Sequence, residues 1–118
     1  MACGYNRYGQ IGNNNNEHQY LPVKVIINES VKSIHSGCYN AIAISKNNSI
    51  FVWGSNYYGQ LPTITNDQLL IPTKITLPNV NVNDINIISM YYGCWLTTSK
   101  YYLTTILHFH FIFNFQQF

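Results

Sequence analysis

Charge is what this chain has least of. Only 8% of its 118 residues are charged, six Lys and Arg against four Asp and Glu, leaving a net charge of +2. Nucleic acids and anionic membranes are held by clustered Lys and Arg, so neither is implied as a partner. The four acidic residues, Glu17, Glu29, Asp67 and Asp84, are scattered and share no motif, which removes support for paired-carboxylate chemistry. Long apolar runs are missing as well. The longest, "YYLTTILHFHFIF" over 101–113, is too short for a membrane-spanning helix and carries two His. Met1-Ala2-Cys3-Gly4 has neither the basic start nor the apolar stretch of a secretory signal, so an intracellular site, cytoplasm or nucleus, is expected.

Cysteine is sparse: Cys3, Cys38 and Cys94 are odd in number, widely spaced and free of any C-x-x-C pairing. A disulfide framework and a zinc site are both unsupported. Cys38 and Cys94 each follow a Gly, which reads as a pair of small buried packing groups, with His35 the sole hint of a base that could activate a thiol. His108 and His110 would share one face of a strand but lack a third metal ligand. Gly9-Gln10-Ile11-Gly12 has neither the spacing, the Lys nor the following helix of a phosphate loop. No catalytic set, cofactor or metal is therefore expected, and a non-enzymatic role is. A 3.6-residue apolar stripe lasting three turns is absent too, which disfavours a helical solenoid.

What is present is repetition. "CGYNRYGQ" at 3–10 recurs as "WGSNYYGQ" at 53–60, pairing Gly4 with Gly54, Asn6 with Asn56, Tyr8 with Tyr58, Gly9 with Gly59 and Gln10 with Gln60. "LPVKV" at 21–25 meets "IPTKI" at 71–75 at the same offset of 50. "HSGCY" at 35–39 meets "YYGCW" at 91–95 at an offset of 56, so the second unit carries six more residues, most simply in "NVNVND" at 79–84. A period near 50 belongs to propeller blades or stacked arrays, and insertions fall in loops between the repeated strands.

The unit is built from strands. "NAIAIS" at 40–45 and "SIFVWG" at 49–54 alternate with period 2 and are joined by Lys46-Asn47-Asn48, where Asn accepts the left-handed conformation a hairpin needs. "PVKVII" at 22–27 and "VKSIHS" at 31–36 supply two more short strands, and four per 50 residues is the content of one blade. Asn13 to Asn16 read as a loop of biased composition. Gly4, Gly9, Gly54 and Gly59 fall where strands give way to turns, and Gln10 and Gln60 are placed to bond the loop backbone. Tyr5, Tyr8, Tyr57 and Tyr58 lie in those turns, where an aromatic side chain either anchors a protein partner or packs on the adjacent blade.

"SGCYNAIAISKNNSIFVWGSNYYGQL" at 36–61 resembles the repeat of the regulator of chromosome condensation family, most specifically in "WGSNYYGQL". Two imperfect units cover roughly 3–100. The resemblance implies an all-β fold of antiparallel β-propeller-type blades, about two of an expected seven, hence an incomplete propeller. Residues 1–60 form the first repeat, 61–102 a second, degraded one, and 103–118 an aromatic tail of uncertain structure. It departs from the family pattern in carrying Asn40 where His is usual and "KNNS" without the usual Gly. Four blades of this period need about 200 residues, and stacked repeats bury their faces on neighbours, so a fragment or truncated product is expected. The function implied is that of a protein-interaction module. The family's activity, guanine-nucleotide exchange on a small GTPase with chromatin association, is the alternative, and a non-functional truncated product is a third.

Overall fold

The computed structural model describes residues 1–57, 61 and 67–76, together with the backbone of the strands 85–90, 93–98 and 102–103. Every regular element among these is a strand. In chain order they are β1 (Ala2–Gly4), β2 (Gln19–Val23), β3 (Val31–Ser36), β4 (Asn40–Ser45), β5 (Ile50–Gly54), β6 (Leu69–Ile75), β7 (Ile85–Met90), β8 (Gly93–Thr98) and β9 (Tyr102–Leu103). They form three antiparallel sheets, β1-β2, β3-β4-β5-β6 and β7-β8-β9.

The four-stranded sheet is a blade, and its hairpin shows why the chain folds here. β4 and β5 pair in the register Ala41↔Trp53, Ala43↔Phe51, Ile42↔Val52 and Ile44↔Ile50. On one face each large ring lies opposite an alanine, so bulk and space alternate. Val25, Ile27 and Leu69 pack against this Ala41, Ala43, Phe51 and Trp53 cluster. The alternate set, Ile42, Ile44, Ile50 and Val52, is buried as well, and β7 and β8 run close to β3 and β4. Alternation usually marks a strand with one wet face. Here both faces of β4 and β5 are dry, at about 1.5–3 kcal/mol for each large apolar side chain removed from water. The turn 46–48 closes as its sequence implies: Asn48 has φ 62°, and its N–H donates to Ser45 O at 3.0 Å.

The composition of the blade differs from the sequence expectation in one strand. The segment 22–27 is not its fourth member: β2 pairs with β1, through Ala2↔Val23 and Gly4↔Gln19, and β6 takes the place beside β5. Pro22 carries no N–H to donate to a ladder, and Val25 and Ile27 pack on the blade's face instead. The sheet thus runs across position 60, joining strands from two successive sequence units.

Glu29 clamps the far end of the blade. It accepts hydrogen bonds from the Ser45 hydroxyl at 2.5 Å and the Ser49 hydroxyl at 3.1 Å, and it pairs with Lys74 Nζ at 3.3 Å. One carboxylate from the loop before β3 therefore holds β4, the residue that opens into β5, and β6. The hydrogen bond from Ser45 is the main influence holding the Glu29 carboxyl below its usual value; partial burial opposes it, and Ser49 and Lys74 add to the lowering.

Candidate functional site

The repeated eight-letter phrase folds as a turn organised around a buried asparagine. Asn6 is fully buried, and its Oδ1 accepts the Ile11 N–H at 2.9 Å. Its Nδ2 faces four oxygens: Asn13 Oδ1, Asn15 O, Asn15 Oδ1 and Glu17 O, at 2.9–3.2 Å. The polar run 13–16 is a loop, as its composition implies, and it also supplies three of the four acceptors that let the Asn6 amide lie in the interior. The Asn6 N–H donates to His18 Nδ1 at 3.0 Å. Gln10 Oε1 accepts the Tyr8 N–H at 3.0 Å, the loop-backbone bond expected of it.

The second turn repeats the device. Asn56 is fully buried and its Oδ1 accepts the Leu61 N–H at 2.7 Å, again five residues on. Sequence reasoning paired Asn6 with Asn56 but gave them no role. The available signal was a polar residue kept at an identical place in two otherwise loosely matching copies.

Two glycines dictate how closely these turns approach the blade. Gly54, at φ 99°, has Tyr39 O and Asn40 Cα (2.7 Å) where a Cβ would stand. Gly12, at φ 76°, would place a Cβ 2.9 Å from Trp53 Nε1 and 3.1 Å from Pro72 Cδ. That room lets the Trp53 indole N–H donate to Gln10 O at 2.8 Å, so the Trp of one unit caps the turn of the other. Gly4 and Gly9 also have positive φ, at 110° and 77°. Gly59, Gln60 and Tyr58 lie outside the described residues, as do His108 and His110.

Held in this way, the turns present aromatic rings side by side. Tyr5 stacks on His18 with centroids 4.7 Å apart, and Tyr8 meets Tyr39 edge-on at 4.9 Å and Tyr5 at 6.2 Å. Tyr8, from the first turn, and Tyr57, from the second, both line a cleft of about 450 Å³ with Ser55, Asp67, Gln68 and Leu70. Tyr5 is half exposed and Tyr57 is 75% exposed, whereas Tyr8 is partly covered by its neighbours. The aromatic side chains expected to meet a partner therefore divide. Tyr8 is seated against Tyr39, and Tyr57 stands at the rim.

The family model of the Regulator of chromosome condensation (RCC1) repeat matches residues 2–44 and 47–99, and a second model of this repeat matches 31–60. The chain belongs to the RCC1-repeat family. Among RCC1-repeat relatives it is 35% identical over 60 residues to the ultraviolet-B receptor UVR8 of Arabidopsis thaliana, a match spanning 49% of this chain and 14% of that protein. It is also 35% identical over 64 residues to the probable E3 ubiquitin-protein ligase HERC6 of Homo sapiens, covering 52% of this chain and 6% of the relative. The crystal structure of human WBSCR16 superposes with a TM-score of 0.55 at 18% identity, over 80% of this chain and 25% of that one, a likeness of fold. The antiparallel, propeller-type architecture thus stands, with the chain spanning a quarter or less of each of these three proteins.

One reading of the RCC1 repeat needs correction. Cys38 is not a buried packing group; it is exposed, as is Cys3. The link from β3 to β4 is a tight one, with the Gly37 N–H donating to Asn40 O at 2.9 Å, and its tip at Cys38 points outward. Position 40, where the family pattern has His, holds a buried Asn at the start of β4. No group of three or more His, Cys, Asp or Glu gathers as a metal site among the described residues.

Proposed function

We propose that this chain is a non-enzymatic protein-interaction module whose docking site is the cleft between two successive repeat turns. The observation that carries the reading is the convergence of Tyr8 and Tyr57, from different repeats, on one concave surface. Aromatic side chains in partly desolvated clefts are the usual anchors of protein interfaces, because they bury much area at little entropic cost. The buried Asn in each turn and the Trp53 cap hold that surface in one shape before a partner arrives, which lowers the cost of binding.

Selection of a displayed peptide library against the full 118-residue chain tests this. A shared consensus should emerge, and its binding should fall at least tenfold with Tyr57→Ala, an exposed substitution that leaves the melting temperature unchanged. A consensus indifferent to Tyr57, or none, contradicts the reading. Nucleotide exchange on a small GTPase is the second reading, supported by the family's name alone. It requires a His-bearing, acidic face assembled from several blades, and Asn40 replaces the expected His. Acceleration of nucleotide release from a small GTPase by this chain would put it first. The intracellular setting, cytoplasm or nucleus, belongs to the same proposal.

A further inference from the structure

We infer that the cleft between the two turns takes a cationic side chain of a partner protein, an arginine in preference to a lysine. This rests on the docking reading and names the chemistry of what docks. Among the described lining residues Asp67 alone is charged, and it is exposed. Glu29, the chain's other acidic residue on the blade, is engaged with Lys74, and that is the sole ion pair among the described residues. Among the described residues Asp67 thus has no ion-pair partner, and it lines a space that two tyrosines border.

The surroundings complete a cation's requirements. Tyrosine faces carry the negative side of the ring quadrupole and attract a cation laid over them. Tyr57, at the exposed rim, and Tyr8, held edge-on by Tyr39, supply such rings. Gln68 brings an amide, whose oxygen is an acceptor, and Leu70 brings an aliphatic side chain to the same lining. A guanidinium suits this set better than an ammonium, since it stacks flat on an aromatic ring and forks two N–H groups onto a carboxylate. The chain's net charge of +2 argues that the preference is local to the cleft.

The test is an NMR titration of the full 118-residue chain with the peptide acetyl-Gly-Arg-Gly-amide. Its lysine, citrulline and norleucine counterparts serve as comparisons, citrulline matching arginine in shape without the charge. The arginine peptide should shift Tyr57 and Asp67 signals saturably and bind about tenfold more tightly than the citrulline peptide, as expected for a charge-assisted pair. Asp67→Asn, an exposed and nearly isosteric change, should erase that preference, and Tyr57→Ala should weaken arginine binding several-fold, each with an unchanged β-sheet circular dichroism spectrum. Equal binding of citrulline or norleucine, or a preference that survives in Asp67→Asn, overturns the inference. Should a library-selected peptide dock at Tyr57 without any basic residue, the cation reading falls and the docking reading stands; should no peptide dock, both fall.

Discussion

Asn6 shows how much one side chain organises. Its amide oxygen holds one buried backbone N–H and its amide nitrogen meets four partly buried oxygens, so removal strands the Ile11 N–H and takes the donor from those oxygens at once. Asn6→Ala should cost about 1–3 kcal/mol or more, the usual penalty for leaving a buried donor unpaired. Asn6→Asp is the sharper test. It keeps the acceptor for Ile11 but sets an oxygen against the oxygens of Asn13, Asn15 and Glu17, and should destabilise at least as much as the alanine change. Urea unfolding followed by circular dichroism measures both, and Asn6→Asp near wild-type stability would refute the hydrogen-bond assignment. This residue was visible in the sequence as a repeated Asn, yet its role was not. Its partners come from the polar run 13–17, whose composition reads as filler until the chain is folded. Cys38 failed for a related reason: equivalence between repeats says where a residue falls along the chain, and exposure depends on how tightly the link is drawn.

At the level of elements, hairpin chemistry carried the most information. The strands 31–36 and 40–45 and the turn 46–48 follow from alternation and from the tolerance of Asn for positive φ, and the structure places them there. What alternation could not supply was β6 as the blade's fourth strand, because pairing β5 with a strand some fifteen residues further on depends on packing and not on local propensity. Glu29 is the contact that ties β4, β5 and β6 together, and it gives the blade a pH dependence of definite sign. Its carboxyl is held below its unfolded value, so the folded state binds that proton more weakly. The stability it contributes is complete above the ordinary carboxylate range and is lost as pH falls through that range toward the lowered folded value. Between about pH 5 and about pH 3, the urea midpoint of the wild type should drop toward that of Glu29→Gln, whose own midpoint lacks this component. Parallel pH profiles for the two proteins would show that the clamp contributes nothing.

At the scale of the whole molecule, the described residues form interlocked propeller-type sheets. The β3-β4-β5-β6 sheet draws strands from two sequence units, and Trp53 of the later turn donates to Gln10 of the earlier one. The repeat was legible as a fold because its glycines, its Trp and its turn residues are fixed by backbone geometry. The cleft was legible only as a set of tyrosines, since no local pattern reveals that Tyr8 and Tyr57 border one space. That shared space is the central claim, and chemical-shift mapping of a library-selected peptide on the full chain tests it most directly. Signals from both turns, Tyr8, Ser55, Tyr57 and Asp67, should move together along one saturation curve with a single dissociation constant. Shifts confined to one turn, or lying elsewhere on β1 and β2, would contradict it.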